Sequence, residues 1–204
     1  MTSIVYPSLP AGAASNSEAG GTDLGIQFSI TASGCQLAGY YVYIPSGGDT
    51  AGADYTFALW STANGTTGTL ISGSSLTGSG TLTGGAWNYF PLGTPVALVS
   101  GTTYVTACHF LANVTYEYLH SYWTTGGGGA SGITSGPITA PNSATALGGA
   151  QEPFNSSTSS ITFPATANYM SSWYGIDINV TAAAARPAYI GQGLPQAVVT
   201  AATR

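Results

Sequence analysis

The chain has 204 residues, carries a formal net charge of −5, and devotes only 4% of its residues to charged side chains. It has no lysine, and its only arginines are Arg186 and Arg204, too few to neutralise a row of phosphates or to dock on an anionic bilayer, which excludes nucleic-acid and membrane-surface binding. A hydrophobic share of 44% excludes a disordered chain, and no apolar run approaches the roughly 20 residues of a membrane helix.

What remains is one folded domain with tails, whose surface is Ser, Thr, Gly and Asn rather than charge. Such surfaces suit extracellular and virion proteins. The opening residues Met1 to Pro7 lack the basic region and apolar core of a secretion signal. They predict a chain assembled in a cytoplasm, or a processed fragment carrying an added Met.

Residues 1–22 lack alternation and read as an N-terminal arm. The first strand follows, with Leu24, Ile26, Phe28 and Ile30 alternating against small or polar residues, a period of two that buries one face. Gly34 and Cys35 lead into Tyr40 to Ile44, a β-branched and aromatic run stopped by Pro45. Tyr55 to Trp60 is next, ended by the Asn64-Gly65 turn signal. Thr69 to Ser72, Leu76 to Leu82, Trp87 to Leu92 and Val96 to Val99 are shorter candidates. Thr103 to Phe110 and Tyr116 to Trp123 are longer, and Trp173 to Val180 closes the domain with Tyr174, Ile176, Ile178 and Val180 facing one way.

No stretch carries a helical period, and Pro187 would end any helix begun at Ala182 to Ala185. Many short strands between Gly, Pro, Asn and Ser turns predict an all-β antiparallel sandwich or jelly roll over residues 23–180. Within it, residues 126–160 hold four consecutive glycines and Pro137, Pro141 and Pro153 with few apolar anchors. They read as a long loop, and loops of that length are usually functional. Residues 181–204 read as a C-terminal assembly arm, with Arg186, Tyr189, Ile190, Val198 and Val199 as candidate partner contacts. Its short β-prone runs could add a strand to a neighbour.

Reactive groups are sparse. Asp49 and Asp54 share a Gly-rich turn, where Asp serves turn chemistry. Glu117, between Tyr116 and Tyr118, is expected outward and solvated. A His109/His120/Glu117 metal site can be drawn, but no recognised ligand spacing supports it. Cys108 and His109 are adjacent and on a strand point to opposite faces, which undermines a thiol–imidazole dyad. Cys35 and Cys108 read as buried free thiols, with a single bridge left open. No nucleophile elbow or phosphate loop is present. The expectation is therefore a non-enzymatic protein without cofactor or metal. Tyrosines and tryptophans outnumber charges, and exposed ones supply rigid area with a polar tip suited to sugars and proteins. By strand parity Tyr116, Tyr118 and Tyr122 share a face and are candidate ligand-binding residues.

The order of Leu24-Gly25-x-x-Phe28, Gly39-x-x-x-Tyr43, Leu59-Trp60, Trp87-x-x-Phe90, Pro95-Val96, Gly101-x-x-Tyr104-Val105, Phe163-Pro164, Asn168-Tyr169 and Trp173-Tyr174-Gly175-Ile176-Asp177-Ile178 resembles a β-sandwich domain of unknown function. That family recurs in bacterial surface and secreted proteins and in virion proteins of actinobacterial phages. Here Met170-Ser171-Ser172 separates the Asn-Tyr pair from the last strand, a departure from the family's ending. The resemblance implies a sandwich, and the family has no established catalytic residues to carry over. Together with the arms it predicts a virion structural protein, tail-associated (minor tail or fibre) or decorating a capsid. Its partners would be other virion proteins, copies of itself and a host-surface glycan. The alternative is a carbohydrate-binding or adhesive module of an extracellular or cell-surface protein.

Overall fold

The computed structural model describes residues 2–3, 9–149, 151–166 and 169–182. These residues form strands joined by turns and short 3-10 segments, with no α-helix among them. One sheet is ordered β1 (Thr2–Ser3), β15 (Ile176–Ala182), β4 (Cys35–Ile44) and β8 (Ala86–Ala97). A second runs β11 (Ile133–Ser135), β12 (Ile138–Ala140), β3 (Gly21–Ile30), β9 (Thr103–Phe110), β5 (Tyr55–Thr62) and β6 (Thr69–Leu70). On this sheet β13 (Phe154–Thr158) also pairs with β3, and β7 (Leu76–Thr77) with β5. A small third sheet is ordered β14 (Trp173–Tyr174), β10 (Thr115–Leu119) and β2 (Ala14–Ser17). All pairings are antiparallel.

The alternation in β3 does what its period requires. Leu24, Ile26, Phe28 and Ile30 are all buried on the face shared with Tyr104 and Cys108 of β9. From the first sheet Tyr40, Val42 and Ile44 meet them, flanked by Ile176 and Ile178. The two sheets interlock through rings: Tyr40 stacks on Phe57 at 5.0 Å, and Phe57 lies 4.7 Å from Phe90. Each such side chain contributes roughly 1.5–3 kcal/mol on burial. The molecule is an antiparallel β-sandwich, as the pattern predicts.

Several elements differ from the sequence expectation, each for a visible reason. Trp87 to Leu92 and Val96 to Val99 are expected as two strands, but most of this stretch is one strand, β8. Its Pro91 and Pro95 are tolerated because β8 is an edge and needs no donor on its open side. β10 ends at Leu119, not Trp123, because Ser121 takes a φ of 59° and turns the chain. Tyr174 does not run on into Ile176. Gly175 interrupts the strand, donating its N–H to Glu117 O while its carbonyl accepts from Tyr43 N, so Tyr174 belongs to the third sheet.

Residues 126–160 are not an irregular loop. The glycine run wraps Trp123 so closely that a Cβ at Gly129 would lie 2.3 Å from the indole. The chain then follows the free edge of β3 from one end to the other. β12 pairs with Ile30 and Ser29, Gln27 N–H donates to Gln151 O, Gly25 N–H donates to Pro153 O, and β13 completes the edge. Ile161 and Phe163 beyond it cover Ala58, Trp60 and Ala107 on the sheet's outer face. The N-terminal segment is likewise less of an arm than expected, since Ala14–Ser17 is a strand of the third sheet. The C-terminal partner candidates Arg186, Tyr189, Ile190, Val198 and Val199 lie outside the described residues.

Candidate functional site: a tyrosine-lined cleft

β10 reads Thr-Tyr-Glu-Tyr-Leu, so parity sends Tyr116 and Tyr118 to one face and Glu117 to the other. The register places Asn16 opposite Tyr116, and both Ala14 and Tyr174 opposite Tyr118. Tyr116, Tyr118 and Tyr174 thereby form one aromatic surface, with ring centres 6.4 Å and 6.2 Å from Tyr116 to the other two. His120 adds a ring 4.7 Å from Tyr118 and is fixed by a 2.7 Å hydrogen bond between Nδ1 and Ser172 Oγ. Phe154 and Ser156 of β13 also line this space, which encloses a cavity of about 380 Å³.

Glu18 follows β2 and reaches into this cleft. Tyr116 donates its hydroxyl hydrogen to Glu18 Oε1 at 3.0 Å and accepts from Asn16 Nδ2 at 3.0 Å. Asn16 Nδ2 also donates to Glu18 Oε1 at 3.1 Å. These three side chains close a hydrogen-bonded ring. Burial pushes the Tyr116 phenol up to about 12, opposed by the Asn16 donor and reinforced by the Glu18 charge. Burial, then the charge of Glu152, holds Tyr174 above the usual tyrosine range, and Glu18 adds to it.

Two of the three tyrosines singled out by sequence therefore meet here. Tyr116 is not an exposed platform, being only 6% accessible, and it works as a polar wall. Tyr118 is half-buried and presents its ring to the cleft. Tyr122 lies beyond the turn at Ser121 and packs instead on Trp123 and Trp173. Asn16, Glu18 and Tyr174 were missed: the first two sit in what reads as an arm, and Tyr174 reads as part of another strand.

The other chemical candidates dissolve into structure. Glu117 is buried, not solvated; Ser15 Oγ donates to its Oε1 at 3.1 Å, and Oε2 has no partner among the described residues. His109 Nδ1 sits 2.7 Å from Asp23 Oδ1 on the far side of β9 from Cys108, while Thr162 donates its N–H and hydroxyl to Asp23 Oδ2. His109 and His120 thus serve different partners, and no group of three metal-ligating side chains occurs among the described residues. Asp49 braces neighbouring elements: its carbonyl accepts the Tyr55 hydroxyl at 2.7 Å, and its Oδ2 accepts the Thr115 N–H of β10 at 3.4 Å. Cys35 and Cys108 are free and buried, and burial pushes the Cys108 thiol well up. No helix among the described residues is long and apolar enough to cross a membrane.

No family model matches the chain, and no curated protein matches it. Among solved structures it is similar to the clostridial cysteine protease Cwp84 after propeptide cleavage, at 12% identity and a TM-score of 0.53. That match covers 89% of this chain and 40% of the other, so the chain spans less than half the length of that neighbour. A second match, to the cysteine protease and lectin-like domains of Cwp84, a surface layer associated protein of Clostridium difficile, has 13% identity and a TM-score of 0.42. It covers 80% of this chain and 32% of the other. At such identities the likeness concerns the fold.

Proposed function

We propose that the protein is a non-catalytic recognition module of an extracellular or cell-surface protein that binds carbohydrate in the tyrosine-lined cleft. The observation that carries this reading is the convergence of Tyr116, Tyr118 and Tyr174 with Asn16, Glu18 and His120 on one concavity. Aromatic faces pack against the C–H faces of a sugar ring while a few fixed polar groups read its hydroxyls. A recognition role fits better than hydrolysis, because Glu18 is the single carboxylate among the residues lining the cleft and glycosidases work with a pair. A thiol mechanism of the neighbour's kind has no support here, since both cysteines are buried in the core.

The alternative setting, a phage particle, rests on the family resemblance together with the terminal arms, and residues 183–204 fall outside the described structure. The comparisons lend that setting no support, and a sugar-binding cleft would serve host attachment in either place. A glycan array tests the proposal. The wild-type protein should retain a defined set of sugars that Tyr118→Ala releases, and an array with no retained glycan would end the reading.

A further inference from the structure

The cleft combines a carboxylate with aromatic faces, and its one basic side chain is the His120 imidazole, whose Nδ1 is engaged with Ser172 Oγ. Glu18 Oε1 already receives both the Tyr116 hydroxyl and Asn16 Nδ2, whereas no described residue donates to Oε2. The described residues contain no lysine or arginine at all, since the chain's two arginines are Arg186 and Arg204. Two further carboxylates lie behind the aromatic surface. Glu152 accepts the Tyr174 backbone N–H and its charge raises the Tyr174 phenol, and Glu117 is buried on the opposite face of β10. The carboxylates in and behind the cleft thus face no lysine or arginine among the described residues, and His120 is the one lining group able to carry positive charge.

Resting on the carbohydrate reading, we infer that Glu18 is the specificity-determining residue of the cleft and selects amine-bearing and uncharged sugars over carboxylated ones. An ammonium group placed near Glu18 Oε2 makes a charge-assisted hydrogen bond and lies against the tyrosine rings, whose faces attract cations. A neutral sugar offers hydroxyl donors to the same oxygen. A uronic or sialic acid brings a second carboxylate to a site that holds Glu18 and neither lysine nor arginine, and like charges at close range in a partly desolvated cleft repel. The Tyr116–Asn16 pair holds the Glu18 carboxylate at the wall, so this preference is built in before ligand arrives.

The test is calorimetric titration of the full chain with three oligosaccharides of equal length: glucosamine, N-acetylglucosamine and galacturonic acid. The expected order of affinity is amine, then neutral, then carboxylate, with the first at least tenfold tighter than the last, about 1.4 kcal/mol. Glu18→Gln should compress that order to within a factor of about three, and Tyr89→Ala, on the outer face of the sandwich and outside the cleft, should preserve it. Should Glu18→Gln fail to fold, salt serves instead, because raising ionic strength from about 0.01 to about 1 M shortens the screening length from about 30 to about 3 Å and should narrow the spread. Equal or tighter binding of the galacturonic oligomer by the wild type overturns the inference and leaves the carbohydrate reading intact. Absence of binding to all three, with an empty array, overturns both.

Discussion

The Trp123 indole Nε1 donates to Glu152 Oε1 at 3.2 Å, and this bond joins the entrance of the glycine-, proline- and serine-rich segment to a point near its exit. Glu152 is fully buried and also receives the Tyr174 backbone N–H. One carboxylate thus fastens the segment along β3 to the third sheet, and the cleft forms where those two parts face each other.

Glu152→Ala removes the acceptor from two buried donors. Each orphaned donor costs about 1–3 kcal/mol, so the variant should lose about 2–6 kcal/mol of unfolding free energy in urea titrations. A loss under about 0.5 kcal/mol would mean that the segment is held by its backbone bonds to β3 alone.

Alkaline pH should unfold the protein through its tyrosines. Tyr40, Tyr55 and Tyr174 are raised by burial, and Tyr116 is raised from 10.0 to about 12. A raised folded value means the folded chain keeps a proton that the unfolded chain releases. Stability is therefore fully present below about pH 10 and falls as pH rises toward and through about 12. Tyrosinate absorbance should rise together with loss of sheet signal, and Tyr116→Phe should soften the pH slope. All thirteen tyrosines titrating near pH 10 in a protein that stays folded would contradict these burials.

Cys35 and Cys108 are free and lie in the hydrophobic core. A thiol-specific disulfide reagent should find no reactive group in the native protein and two after denaturation without reductant. Rapid native reaction at either residue would contradict the core assignment and reopen thiol chemistry.

Gly39 lies at the register shift where β4 meets Pro91 of β8, beneath the Tyr89 ring. A Cβ there would approach Phe90 O to 2.4 Å and the Tyr89 ring to 2.7 Å. Gly39→Ala should cost about 1–3 kcal/mol by overpacking, seen as a lower thermal midpoint. An unchanged midpoint would show that the bulge relaxes freely.

The sandwich was legible because its strands are long and bury one face, as the alternating Leu24 to Ile30 shows. The third sheet was not. β2 is four exposed residues and β14 only two, too short for a period, and both pair with β10 across distant sequence. The course of residues 126–160 was hidden because much of what holds it is backbone bonding to β3, on which side-chain pattern is silent. Of the site, the strand parity of Tyr116 and Tyr118 could be read directly. Glu18 could not, since its role depends on Asn16 being drawn beside Tyr116 by a non-local pairing.

Binding of ligand in the cleft can be told directly from binding on the sandwich's outer face. The outer face carries its own aromatic pair, Tyr41 and Tyr89, with ring centres 4.8 Å apart and Tyr89 exposed. Calorimetric titration of the best-retained glycan should be run on the wild type, Tyr118→Ala and Tyr89→Ala. Tyr118→Ala should weaken binding at least tenfold, about 1.4 kcal/mol, while Tyr89→Ala should leave it within a factor of two. Loss with Tyr89→Ala and retention with Tyr118→Ala would rule out the cleft and move the site to the outer face.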